Sequence, residues 1–156
     1  MASADISTLD KLRAQLGRET VVTDWVAVTQ ERIDKFADAT GDFQWVHVDA
    51  ERSAKESPFG GTIAHGFLVL SLLAPLRSAT PRPSFPGLRL GVNYGFERVR
   101  WVQPVRSGSR IRATFTIVAI AETAPGQFRE ELDVLVEAEG LDRPAVAARW
   151  LTMYMI

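Results

Sequence analysis

The apolar positions of this chain change period about half-way along it. In the first half they recur every three or four residues, the spacing of one helix face. Leu9, Leu12 and Leu16 share such a face, with Ser7 placed to cap the helix and Gly17 to end it. Residues 24–28 (DWVAV) read as a short strand. Thr29 then caps a second helix, with Glu31 in its first turn and Ile33, Phe36 and Ala37 on its apolar face, and Gly41 breaks it. Asp49 caps a short third helix over residues 50–55. Residues 57–62 (SPFGGT) are a loop by their Pro and Gly content. From Ala64 the chain is apolar on every side, through Phe67, Leu68, Val69, Leu70, Leu72 and Leu73, and this predicts a helix buried all round. Pro75 bends or stops it, and residues 77–87, with Pro81, Pro83 and Pro86, read as a loop.

In the second half the period is two. Leu88, Leu90, Val92, Tyr94 and Phe96 alternate with Arg89, Gly91, Asn93, Gly95 and Glu97, and Ile111, Ala113, Phe115, Ile117 and Ala119 alternate with Arg110, Arg112, Thr114 and Thr116. Phe128, Leu132, Val134 and Val136 follow the Pro125-Gly126 turn. Val146–Met155 is apolar on both faces, which predicts a strand that is central or lies at a contact. Helices, one apolar helix and then antiparallel strands make an α+β fold, with the sheet curling round that helix. No internal repeat or long linker divides the chain, so residues 1–156 are expected to form one domain.

Composition narrows the partners. Lys and Arg number 18 against 19 Asp and Glu, so there is no excess of positive charge to argue for nucleic acid or an anionic membrane. The longest apolar run, residues 66–76, is far shorter than the roughly 20 residues of a membrane span. The absence of cysteine removes disulfide and thiolate chemistry and points to an intracellular, cytoplasmic protein. The N-terminal residues lack the basic and apolar regions of a signal peptide.

Both histidines, His47 and His65, fall within residues 39–73, and Asp42 lies five residues before His47. Residues five apart on a continuous helix point about 140° away from each other, so Asp42 and His47 converge only where the helix is interrupted. Gly41 supplies a break. Such a pair can hold one water, with His47 titrating near neutrality and Asp42 as a second acid or base. The spacing alone also fits an aspartate in a loop or cap and a histidine in a polar loop contact. His65-Gly66 opens the apolar helix, where free N–H groups and the helix dipole stabilise negative charge on an oxygen. The same pair also fits a tight loop-to-helix junction without a ligand. Two histidines with scattered carboxylates match no familiar metal spacing, and the glycines of residues 59–62 form no phosphate loop, so no metal is expected. Arg98, Arg100, Arg106, Arg110 and Arg112 read as strand-face charges, one or two of them available to ligand phosphates.

Taken together, ATGDFQWVHVDAERSAKESPFGGTIAHGFLVLSLL resembles the MaoC-like dehydratases, the (R)-specific enoyl-CoA hydratases of single hot-dog fold, and most closely the branch that includes nodulation protein N. Ser57 stands where that pattern usually has Gly. The likeness continues through LGVNYGFERVRWVQPVRSGSRIRA, with its Pro-Val-x-x-Gly turn, and covers residues 28–113. The hydratase motif commonly reads Asp-x-Asn-Pro-x-His. Here Gln44 keeps an amide and Trp45 replaces the proline, as in the nodulation-protein branch, which leaves the substrate open.

The resemblance implies an antiparallel sheet wrapped around a long central buried helix, dimerising edge to edge into a homodimer. It implies that Asp42 and His47 activate water for addition to a trans-2-enoyl-CoA, giving the (R)-3-hydroxyacyl-CoA reversibly, while the Gly66 N–H holds the thioester oxyanion. Gln44, Trp45, Ala64, His65, Asn93 and Tyr94 are taken as substrate-binding. No metal or other cofactor is implied, CoA being part of the substrate. A hot-dog acyl-CoA thioesterase and a non-catalytic acyl-CoA binding protein are the competing readings.

Overall fold

The computed structural model describes residues 6–82, 85 and 87–156, and the side chains of residues 6–9, 19 and 20 fall outside that description. Helix α1 (Ile6–Ala14) already contains Ser7 in its first turn, so Ser7 does not stand ahead of it as a cap. Leu12 is buried, whereas Leu16 lies beyond the helix end and is exposed. The Leu9 side chain, Pro83 and Pro86 lie outside the described residues. Strand β1 (Glu19–Val22) precedes a very short β2 (Val26–Ala27), so the strand expected over residues 24–28 is reduced to two residues.

Helix α2 (Gln30–Thr40) follows its predicted caps. The Thr29 hydroxyl accepts from the Arg32 N–H, and Gly41 ends the helix in the left-handed region, at φ 77°, with its N–H on the Ala37 carbonyl. A one-turn α3 (Trp45–Val48), absent from the sequence reading, leads to α4 (Ala50–Glu56), capped by Asp49 as expected. The apolar helix is divided into α5 (Gly66–Ser71) and α6 (Leu73–Ala79). Pro75 sits in the first turn of α6, where its missing N–H is tolerated, and the interruption falls at Leu72, one turn upstream. The helix thus runs on past the proline, which does not stop it, and residues 77–79, expected as loop, are helical.

The sheet holds β3 (Leu90–Trp101), β4 (Arg110–Ala124), β5 (Gln127–Ala138) and β6 (Val146–Met155) in the order β1-β4-β5-β6-β3, with β2 also on β4. Every pairing is antiparallel. β6 lies between β5 and β3, a central place in the sheet, as expected. Ile111, Ala113, Phe115, Leu132, Val134 and Val136 face Leu68, Val69, Leu73 and Leu76 across one core. Each of these side chains apart from Ala113 contributes roughly 1.5–3 kcal/mol by leaving water.

The central helix is not buried all round. The sheet covers one side of it, and Phe67 on the other side is 66% exposed. Among the described residues β3 pairs only with β6, and Leu90, Val92 and Tyr94 are exposed along this edge strand, which bulges between Asn93 and Gly95 and between Phe96 and Arg98. Arg110 and Arg112 pair with Glu139 and Glu137 on β5 or just beyond it, and Arg106 donates to the Gly60 carbonyl. No described helix is long and apolar enough to cross a membrane.

Candidate active site

The break at Gly41 turns the chain sharply, and the short α3 brings His47 back towards Asp42. One side-chain donor atom from each of Asp42, His47 and His65 lies within 4.8 Å of the others. The surroundings of the two histidines differ in a way that assigns their protons. His47 Nδ1 lies 2.7 Å from the Ile63 carbonyl, and a carbonyl only accepts, so Nδ1 carries the hydrogen and neutral His47 presents Nε2 as a base. His65 Nε2 donates to the Asp42 backbone carbonyl at 2.9 Å and stands 4.0 Å from the Asp42 carboxylate. The two imidazoles stack with centroids 3.9 Å apart, and Phe36 of α2 packs against His65 at 5.0 Å.

Both histidines are buried, while the Asp42 side chain is about half exposed. Burial pushes His47 below the usual imidazole value of 6.5. The Ile63 hydrogen bond and the Asp42 charge oppose this, and His65 adds to it. Neutral His47 is therefore the form present at pH 7.

Longer-range bonds hold the histidines in place. The Gln30 amide donates to the His47 carbonyl at 2.7 Å, and its oxygen accepts from the Thr62 hydroxyl at 2.6 Å. The Ile63 N–H bonds to the Val46 carbonyl, and the Ala64 N–H to the Val105 carbonyl. These bonds clamp the Gly-rich loop between α3 and the turn that follows β3, and so fix where α5 begins. The first N–H groups of α5 precede its first internal bond, from Val69 to the His65 carbonyl, and have no helical partner.

A cavity of about 270 Å³ opens at this helix start, lined by His47, Ala64, Gly66, Val69, Trp101 and Gln103 among others. Gly66 is required there by packing. A Cβ on it would stand 2.6 Å from Trp101 Nε1 and under 3.0 Å from two further indole atoms.

The predicted site residues divide by position. His47, Ala64 and Gly66 line the cavity, although the Ala64 N–H is already used. His65 and Asp42 stand beside His47 without lining it. Gln44 ends the loop before α3, and its carbonyl accepts from the His47 N–H. Trp45 packs beneath the Arg52 guanidinium, 4.3 Å from its ring centre. Asn93 and the exposed Tyr94 belong to the opposite end of β3 from Trp101. Asn93 lines a separate cavity there with Arg77 and Tyr154. From the sequence Trp101, like Trp25, Trp45 and Trp150, reads as core or interface and not as a ligand platform, and Gln30 carries no signal; the structure puts Trp101 in the cavity wall. A tryptophan carries no mark of its contact, and the Gln30 bond to His47 spans seventeen residues.

Asp42, His47 and His65 are also the residues to consider for a metal. Three ligands at about 2.1 Å around a tetrahedral ion sit about 3.4 Å apart with lone pairs converging. The lone pairs of nearly stacked imidazoles lie in their ring planes and do not converge, so the trio fits acid–base work better than one ion.

Comparison with known proteins adds a family and a fold to this geometry. The profile of the MaoC like domain matches residues 11–138. Nodulation protein N of Rhizobium leguminosarum bv. viciae is 42% identical over 94% of this chain and 90% of its own length. The 3-hydroxyacyl-thioester dehydratase Z of Mycobacterium tuberculosis (strain ATCC 25618 / H37Rv) is 43% identical over 92% of this chain and 93% of that protein. Among solved structures, the (R)-hydratase from A. caviae involved in PHA biosynthesis superposes with a TM-score of 0.69 at 20% identity, covering 86% of this chain and 95% of the other. That likeness shows a shared hot-dog fold.

Proposed function

The chain belongs to the MaoC-like dehydratase family and is a hydro-lyase, and from that premise we propose that it hydrates trans-2-enoyl-CoA reversibly to the (R)-3-hydroxyacyl-CoA in the cytoplasm. The observation that carries this reading is the meeting, within 4.8 Å, of an Asp42 carboxylate oxygen and a ring nitrogen of His47 beside the start of α5. Two hydrogen bonds of about 2.8 Å meeting near the tetrahedral angle span roughly 4.6 Å, which suits one water held between the pair. In the hydration direction His47 Nε2 takes a proton as the water oxygen bonds to C3. The C2–C3 π pair moves towards the thioester oxygen, where the Gly66 N–H and the helix dipole hold the charge. Collapse of the enolate takes a proton from the dyad at C2 and restores both residues, so H and OH are added in sum. Beyond the bond from the water oxygen to C3, the chain's residues need only move protons and hold the oxyanion, and the reading uses neither a metal nor a redox cofactor.

The exposed β3 edge, with Leu90, Val92 and Tyr94, supports a homodimer formed by edge-to-edge pairing. Sedimentation equilibrium should give twice the chain mass, and a monomer at micromolar concentration would remove this part of the proposal.

Loss of the enoyl-thioester absorbance of crotonyl-CoA, with no release of thiol, tests the chemistry. The wild type should bleach the band, and Asp42→Asn and His47→Gln should each slow this by about 10²-fold or more. Release of free thiol would instead mark a thioesterase, and saturable binding without turnover an acyl-CoA binding protein.

A further inference from the structure

His65 sits where three parts of the site meet. Its backbone is fixed from both sides. The Ala64 N–H bonds to the Val105 carbonyl at 2.8 Å, and the His65 carbonyl accepts from the Val69 N–H at 3.2 Å as α5 begins. The residue is 2% exposed, and its ring stacks on His47 with the planes inclined by 27° and Phe36 packed against it.

The loop that His65 reaches is held less firmly. Residues 41–44 are all exposed. Two bonds within the loop are long: the Asp42 N–H lies 3.4 Å from the Thr40 hydroxyl, and the Gln44 N–H lies 3.4 Å from Asp42 Oδ1. The His65 Nε2–H, at 2.9 Å from the Asp42 carbonyl, is the shorter contact, and it comes from a buried ring twenty-three residues further along the chain.

Packing alone does not account for an imidazole at this place. With the hydrogen on Nε2, Nδ1 is a bare acceptor, and it is buried with no partner among the described residues. An unpartnered buried nitrogen lowers stability, and a phenylalanine would stack on His47 without it. What phenylalanine lacks is the Nε2–H bond to Asp42. His65 does not line the cavity at Gly66, so its effect on a substrate there is indirect. Were the Asp42 loop to shift by about 1 Å, the carboxylate would leave the water it shares with His47, a misplacement that costs on the order of 10²-fold.

We propose that His65 is a positioning residue: its Nε2–H anchors the Asp42 backbone to the start of α5 and so holds the Asp42 carboxylate in place across from His47. The proposal deepens the hydratase reading above and rests on it.

The test separates the ring from the bond. His65→Phe keeps a stacked ring and loses the donor. His65→Gln loses the ring and keeps an amide N–H the same number of bonds from Cβ. On crotonyl-CoA, His65→Phe is expected to lower kcat about 10²-fold with KM within about twofold and Tm near that of the wild type, and His65→Gln to regain about tenfold of that loss. In an Asp42→Asn background the His65→Phe change should cost less than about threefold, because its effect passes through Asp42. A His65→Phe enzyme with wild-type kcat, a loss confined to KM, a Gln variant no faster than the Phe variant, or an undiminished loss in the Asp42→Asn background each overturns the proposal. If the wild type does not hydrate crotonyl-CoA, the hydratase reading fails, and nitrogen NMR decides the anchor without activity. The chain has two histidines, so His65→Gln assigns both sets of ring signals. An Nε2–H tautomer at His65 supports the anchor, and an Nδ1–H tautomer overturns it.

Discussion

Adding a single methyl group at Gly66 tests the link between packing and chemistry most directly. The new Cβ would stand 2.6, 2.8 and 2.9 Å from three indole atoms of Trp101, where ordinary contacts are 3.4–4 Å. The indole or the helix start must therefore retreat by about 1 Å, and overpacking of this kind costs about 1–3 kcal/mol. At about 2–4 °C per kcal/mol for a chain of this size, Tm should fall by roughly 2–12 °C. The backbone N–H survives the substitution, so the activity cost is one of misplacement, and a shift of about 1 Å costs on the order of 10²-fold in kcat. Thermal melts and initial rates on crotonyl-CoA measure the two effects. Combining Gly66→Ala with Trp101→Ala removes the obstacle and should restore part of kcat. If it does not, the methyl group blocks the thioester itself. A Gly66→Ala protein with wild-type Tm and kcat refutes the reasoning.

Three further outcomes are expected. Glu130→Gln leaves the buried Arg77 charge uncompensated and should cost about 3–5 kcal/mol in urea unfolding, whereas Arg77→Met with Glu130→Leu should lie much nearer the wild type. Because burial holds His47 below 6.5, the unfolded chain takes up that proton first as pH falls. The contribution of His47 to stability is thus complete above about pH 6.5 and declines below it, and kcat/KM should be level from pH 7 to 8 with an inflection under 6.5. An inflection above 7 would contradict a neutral, buried base. Gln30→Ala removes the clamp between the His47 carbonyl and Thr62, and kcat should drop about tenfold with KM little changed. A rise in KM alone would show that Gln30 serves binding instead.

Much of this protein was legible before its structure. Thr29, Gly41 and Asp49 act locally, through bonds to N–H or carbonyl groups three or four residues away, so their caps were readable from the chain. The period-two strands were readable for the same reason, since alternation needs only the pleat. That alternation also puts Glu130 on the inner face of β5, together with Phe128 and Leu132. Alternation gives an acid on that face no partner, and only the packing of α6 brings the buried Arg77 to it.

The sequence by itself determined the element types, the period change and the short segment that carries Asp42, His47 and Gly66. Tertiary structure decided the rest. It left one face of the central helix open, because a single sheet covers one side of a helix and a uniformly apolar pattern does not say which side. It placed Asn93 and Tyr94 away from His47, because a strand's residues share a face without sharing a site. It set the proton of His47 on Nδ1, because the carbonyl that accepts it belongs to Ile63, sixteen residues on. Hydrogen bonds and burial between distant residues have no local signature, and at this site they determine which atoms are free to react.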